Sequence, residues 1–259
     1  MIHNIEGGYV KSEFHNHVTT IEFYHPQGNS LPYRILEQLA TAIHGAGNDE
    51  ETRVIVLRSQ GEKAFCAGAS FDELTAIRTE EEGRRFFSGF AQVINAMRTC
   101  PKFVIGRIHG KCVGGGVGLA AACDYAIATE NAAVKLSELA VGIGAFVVGP
   151  AVERRMGNAA FMQLAIDASN WRTAGWAQKK GLFAEVHHSS ETMDEAVQNL
   201  VDSLLHANPE AMALLKQTFW AGTENWDSLL TERAAISGRL VLSRFTREAI
   251  DRFKARART

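Results

Sequence analysis

The chain has 259 residues, 46% hydrophobic and 22% charged, enough for a sizeable core in one large or two modest domains. A formal net charge of −2 provides no general attraction to nucleic acid or to an anionic membrane surface. Four cysteines without a Cys-x-x-Cys pair, an N-terminus without a basic or apolar leader, and no apolar run near the ~18 residues of a spanning helix together predict a cytoplasmic protein with free thiols.

Residues 8–24 alternate as a hairpin with His15-Asn16 at its turn. Ser30 is the expected N-cap of a helix whose apolar face is Ile35, Leu36, Leu39, Ala42 and Ile43, with Gly45 and Gly47 as its stop. Val54–Leu57 reads as a strand covered on both faces. Thr79 to Glu82 reads as a capping box opening a helix that carries Phe86, Phe90, Val93, Ile94 and Met97 on one face. Strands are expected at 103–105, 125–128 and 134–136, with a helix from Gly116 to Cys123 between the first two. Beyond residue 145 the pattern turns mostly helical. Thr173–Lys180 closes at Gly181, Leu182–Val186 forms one more strand, and helices are expected near 191–206, 209–221, 226–242 and 246–256. Alternating strands and helices followed by an all-helical tail predict an α/β core over 1–190 and a helical region over 191–259.

Two segments carry the chemistry. Lys63-Ala64-Phe65-Cys66-Ala67-Gly68-Ala69 and His109-Gly110-Lys111-Cys112-Val113-Gly114-Gly115-Gly116 each come after an apolar strand and precede a helical pattern. A strand-to-helix junction leaves backbone N–H groups unpaired at the helix start. Two such junctions side by side can hold one oxygen between two donors, an oxyanion hole. Glu138 comes next, in Lys-Leu-Ser-Glu-Leu, where a carboxylate can move a proton on carbon beside a carbonyl or activate water. The competing readings are a tight, closely packed turn for the glycines and a solvated charge for Glu138. No His/Cys/Asp/Glu cluster has metal-ligand spacing, and the glycine run lacks the Lys-Ser/Thr of a nucleotide loop. His109 reads as a packing and hydrogen-bonding residue.

With three motifs in this order, the chain resembles the crotonase superfamily, the enoyl-CoA hydratase/isomerase group. Lys63–Ala69 is similar to that family's first oxyanion-hole loop, Val113–Gly116 through Asp124 to its second, and Leu136-Ser137-Glu138-Leu139 with Val141-Gly142 to the stretch bearing its catalytic glutamate. The resemblance implies a spiral of ββα units followed by helices that build trimers or hexamers. It implies oxyanion amides at Ala69 and Gly115, an acid/base at Glu138, and substrate contacts from Ala67, Gly68 and Gly114. Bound coenzyme A, entering as part of an acyl-CoA substrate with no separate cofactor, is expected against the backbone of Lys63, Ala64 and Phe65. Lys63 faces a CoA phosphate or stands as a solvated lysine. Phe86 and Phe90, with Phe87, roof the acyl chain or belong to the core. The basic tail from Arg252 to Arg258 reaches a neighbour's phosphates or frays.

Two departures qualify the resemblance. Hydratases of this family that use two glutamates place the second where this chain has Gly118. Gly118 either opens room for a branched or carboxylated acyl group or lets helices pack closely. The stretch at 116–119, with Ser137-Glu138 and Val148-Gly149-Pro150, is most similar to methylglutaconyl-CoA-type hydratases, which act in leucine breakdown. Gly144-Ala145 replaces their usual Ile-Pro, and Ser70 stands where relatives often have Asp. The expected activity is therefore enoyl-CoA hydration. Enoyl-CoA isomerisation through Glu138 alone and a catalytically silent CoA- or RNA-binding member are the alternatives.

Overall fold

A computed structural model of the protein describes residues 2–5 and 7–256, leaving out the side chains of 2–5 and 253–256. The chain opens with a meander of β1 (Ile2–Ile5), β2 (Gly8–His15) and β3 (Val18–Tyr24). The turn falls at Asn16-His17, one residue beyond the expected place, because His15 still pairs with Val18. Both turn residues have positive φ, 47° and 64°, which matches the twist of a two-residue hairpin.

Ser30 caps no helix. Ser30–Leu31 forms the short strand β4, and α1 (Tyr33–Asn48) starts after Pro32, which supplies no side-chain cap. Gly45 and Gly47 do not stop α1 either; both lie inside it. At Gly47 a β-carbon would sit 3.0 Å from Cys100 Sγ, so the glycine permits a close approach of the segment at Cys100, the C-cap of the helix over Glu80–Thr99.

A repeated unit comes next. β5 (Val54–Ser59), β6 (Ala64–Cys66) and β7 (Gly68–Ala69) lead to α2 (Phe71–Ala76) and α3 (Glu80–Thr99). β8 (Phe103–Ile108) and β9 (Lys111–Val113) lead to α4 (Gly115–Ala122). β10 (Tyr125–Thr129) and β11 (Ala133–Lys135) lead through a 3₁₀ turn (Leu139–Val141) to α5 (Gly149–Met156) and α6 (Asn158–Ile166). The first strand of each unit joins a seven-stranded sheet, ordered β1-β2-β3-β5-β8-β10-β13, and β6, β9 and β11 join a second sheet with β12 (Arg172–Thr173). Successive units pair in parallel, which makes the spiral of ββα turns that the resemblance implies. The chain ends with α7 (Ala174–Lys179), β13 (Glu185–His187), α8 (Ser190–Leu205), α9 (Pro209–Phe219), α10 (Trp226–Leu240) and α11 (Arg244–Arg256). The strand expected at 182–186 starts later, since Leu182 and Phe183 turn into the core, with the Leu182 amide donating to Ala177 O. Of the basic tail expected to reach a neighbour's phosphates or to fray, Arg252 is described, and the side chains from Phe253 onward lie outside the described residues.

Strand alternation explains the two-faced burial of the main sheet. Ile55 and Leu57 face the principal core beneath α1 and α3, whereas Val54 and Val56 face Met193, Val197 and Val201 of α8. The capping box forms as expected: Thr79 accepts from the Glu82 amide, and Glu82 accepts from the Thr79 amide. α3 and α10 cross at Gly83 and Gly238, where a β-carbon on Gly83 would lie 2.7 Å from Gly238 Cα.

A buried ion pair fastens α9 to the sheet. Lys216 Nζ donates to Asp124 Oδ2 at 2.7 Å and to Lys102 O at 2.8 Å, Trp220 Nε1 donates to Asp124 Oδ1, and the Val104 amide donates to Oδ2. Arg155 adds bonds to the carbonyls of Cys123 and Asp124. His109 is buried, but neither ring nitrogen has a hydrogen-bond partner, so only its carbonyl, which accepts from Thr129 Oγ1, meets the expected bonding role.

Candidate active site

The first loop is held by β4. Ser30 Oγ donates to Ala69 O at 2.9 Å, the Ser70 amide donates to Leu31 O, and Ser70 Oγ accepts from the Glu73 amide as the N-cap of α2. Asn29, buried with φ 57°, donates through Nδ2 to the carbonyls of Gln60 and Ala64 and accepts from the His25 amide. Ser30 and Asn29 support this loop through contacts distant in sequence, which no local motif announces.

The second loop begins at Gly114, whose φ of 52° and ψ of −113° suit a residue without a β-carbon. Gly115 opens α4, and the first N–H groups of a helix have no acceptor within it. All eight residues of α4 are buried. Three glycines let it sink so deeply, each filled by a different neighbour. Phe90 lies over Gly115, the Cys66 carbonyl over Gly116, and Val148 over Gly118.

The two loops touch. A β-carbon on Gly68 would lie 3.0 Å from Val113 O and 3.7 Å from Gly115 N, and Ala69 is the next residue. Ala69 and Gly115 both line a cavity of about 780 Å³. Glu138 lines it too, from the start of the 3₁₀ turn and not from a strand end, since β11 stops at Lys135. Its Oε1 comes within 3.0 Å of where a Gly114 β-carbon would be, and its buried Oε2 has no hydrogen-bond partner. Burial pushes the carboxyl up to about 7, and its own backbone N–H opposes that shift only in part. A carboxyl poised near neutrality can both take and give a proton.

Ala67, Gly68, Phe86, Phe90 and Gly114 line the same cavity, as does Phe87. Lys63, Ala64, Phe65 and Gly118 do not. Phe65 is fully buried and packs edge-on against Phe23, with ring centroids 5.4 Å apart. Ala64 gives its carbonyl to Asn29, and Lys63 is exposed with its carbonyl accepting from the Lys111 amide. The space that Gly118 leaves is occupied by Val148, so in this structure the glycine lets α4 pack closely against the turn before α5.

Several wall residues carry no signal in the sequence that points to this cavity. Ile143, Val147 and Val148 come from the turn before α5, and Ser237, Ala249 and Arg252 come from α10 and α11. They arrive by tertiary folding: α11 docks on the turn after Glu138, with Thr246 Oγ1 donating to Gly142 O at 3.0 Å. Among the described residues no group of three or more His, Cys, Asp or Glu side chains is arranged to hold a metal ion, and no helix is long and apolar enough to cross a membrane.

The profile of the family described as "Enoyl-CoA hydratase/isomerase" matches residues 13–255. The chain is 34% identical over 126 residues to the "Probable enoyl-CoA hydratase" of Bacillus subtilis (strain 168), covering 49% of this chain and 48% of that one. It is 31% identical over 202 residues to the mitochondrial methylglutaconyl-CoA hydratase of Rattus norvegicus, covering 76% of this chain and 63% of that one. The matched region thus spans about half of the first relative and just under two thirds of the second. In fold, it superimposes on the crystal structure of an enoyl-CoA hydratase from Bacillus halodurans with a TM-score of 0.86, at 21% identity, covering 94% of this chain and 99% of that one.

Proposed function

The chain belongs to the enoyl-CoA hydratase/isomerase family, and on that premise we propose that it adds water across the 2,3 double bond of an enoyl-CoA thioester. In this reading the amides of Ala69 and Gly115 hold the thioester oxygen while it carries enolate charge. Glu138 takes a proton from the attacking water and delivers a proton to the α carbon. Coenzyme A enters as part of the substrate, and no separate cofactor takes part.

One observation carries the reading: a buried carboxylate, its Oε2 without a hydrogen-bond partner, sits against Gly114, at the place where the Gly68 and Gly115 loops meet. Losing one oxyanion donor typically costs ~3–4 kcal/mol of transition-state stabilisation, so two loops converging on one cavity would supply a large share of the rate. Isomerisation is the second reading. It is supported by Glu138 being the single carboxylate among the described residues that line the cavity. One carboxylate suffices to carry a proton from C2 to C4.

The test uses the conjugated thioester chromophore. Loss of its absorbance from crotonyl-CoA means hydration, and its appearance from a 3-enoyl-CoA means isomerisation. Inertness toward both, in a folded protein that binds CoA, would favour the silent binder.

A homotrimer or dimer of trimers accompanies this reading. It is supported by exposed apolar side chains on α6 (Met162, Ile166) and on α9 (Leu214, Leu215, Phe219). A cytoplasmic setting accords with four free, buried cysteines.

A further inference from the structure

The wall of the cavity around α4 is apolar by construction. Phe90 lies on Gly115, and Ile94, one turn along α3, approaches the place of a Gly118 β-carbon at 3.6 Å. Val148 fills the rest of that place, its Cγ1 only 2.5 Å from where the β-carbon would be. Val148 is 3% exposed and also lines the cavity. A side chain at position 118 would therefore have to push Val148 toward the cavity.

Charged groups on the cavity wall are few. Among the described residues they are Glu138, Lys135 and Arg252. Lys135 is engaged elsewhere, its ammonium lying over the Trp171 ring at 4.6 Å, and Arg252 is exposed on α11. Neither cation figures among the causes that set the Glu138 carboxyl, which are its burial and its own backbone N–H. A carboxylate on the acyl group, lodged between Phe90, Ile94 and Val148, would have apolar side chains around it and would share the cavity with Glu138, whose charge neither cation offsets. Burying an unpaired charge is strongly unfavourable.

We propose that Val148, seated in the gap left by Gly118, is a specificity-determining residue, and that the compartment it closes takes neutral, apolar acyl groups and rejects acyl groups bearing a carboxylate. The inference rests on the acyl-CoA reading above and sharpens it: the similarity to methylglutaconyl-CoA hydratases does not extend to their dicarboxylic type of substrate.

The experiment measures binding with saturated thioesters that do not react. Butyryl-CoA, glutaryl-CoA and free CoA are titrated calorimetrically into the wild-type protein, Gly118→Ala and the Gly118→Ala/Val148→Ala double variant. Thermal melts confirm that each is folded. Butyryl-CoA is expected to bind the wild type at least about 100-fold more tightly than glutaryl-CoA, the discrimination coming from the unpaired carboxylate. Gly118→Ala is expected to weaken butyryl-CoA binding about tenfold relative to free CoA, because Val148 is driven into the acyl space. The double variant is expected to recover it. Equal or tighter binding of glutaryl-CoA overturns the inference, as does an unchanged butyryl-to-CoA affinity ratio in folded Gly118→Ala or a failure of the double variant to recover it. Absence of binding by both thioesters and by free CoA removes the acyl-CoA reading, and this inference with it.

Discussion

Gly114 and Glu138 are shaped to each other: a β-carbon on Gly114 would lie 3.0 Å from Oε1 and 3.3 Å from Cδ of the glutamate. The glycine thus has two reasons to be there. Its φ of 52° with ψ of −113° suits no other residue well, and its bare Cα admits the carboxylate to the start of α4. Gly114→Ala is expected to lower kcat by about 100-fold or more, since small misplacements of a reacting group carry costs of that order. Thermal melting should show a smaller effect, in line with the ~1–3 kcal/mol of one strained residue. An active Gly114→Ala enzyme would mean that the carboxylate does not need this approach.

The raised Glu138 carboxyl makes both rate and stability depend on pH. As a base, Glu138 must be ionised, so the rate should fall as the pH drops through about 7. For stability the sign is opposite. The folded-state value of about 7 lies above the ordinary 4.5, so the folded chain holds this proton more firmly than the unfolded chain does. That contribution is complete below pH 4.5 and is lost as the pH rises through about 7. Glu138→Gln carries no such titration. The variant should therefore gain on wild type by about 3 kcal/mol at alkaline pH relative to acidic pH, seen as a difference in urea unfolding midpoints. Parallel pH–stability curves for the two proteins would contradict a buried, unpaired carboxyl.

Lys216 and Asp124 form an ion pair whose side chains are only 2% and 6% exposed. Removing one partner leaves an uncompensated buried charge. Lys216→Ala is expected to cost about 3–5 kcal/mol of stability. Lys216→Met with Asp124→Leu should recover part of this, because both charges are then gone. Chemical denaturation of wild type and the two variants measures it, and a Lys216→Ala protein as stable as wild type would show that α9 does not depend on the pair.

α3 and α10 meet where two glycines face each other. A β-carbon on Gly238 would lie 2.5 Å from the Arg84 amide nitrogen, a backbone atom that cannot move away alone. Gly238→Ala should therefore destabilise the protein by about 1–3 kcal/mol, despite the higher helix propensity of Ala. A rise in melting temperature would place the helices farther apart than the structure does.

Much of this is legible in the sequence where a local pattern has a local cause. The capping box at Thr79, the apolar face from Phe86 to Met97 and the Asn208-Pro209 start of α9 depend on residues within one or two turns of each other. Ser30 misleads because its hydroxyl serves a partner 39 positions away, Ala69 O, and not the next helix turn. Gly47 misleads because a helix tolerates glycine where another segment crosses it, as Cys100 does, and Gly45 misleads because on an exposed, open face of α1 a glycine costs the helix only ~1 kcal/mol. The ββα repeat leaves no visible period because its units diverge after the second strand, from α4 alone to the 3₁₀ turn with α5 and α6. In the site, the two glycine loops and Glu138 stand out as motifs. Ile143, Ser237 and Ala249 do not, because only the packing of the turn before α5, of α10 and of α11 brings them to the cavity.

The most direct test is the Glu138→Gln enzyme, assayed for turnover of an enoyl-CoA and for affinity toward a saturated acyl-CoA. The exchange keeps the shape of the side chain and removes its ability to carry a proton. Turnover should fall by about a thousandfold or more, while the dissociation constant changes by less than about threefold. Turnover close to wild type, with the thioester still bound, would take the proton-transfer step away from Glu138 and with it the mechanism proposed for this cavity.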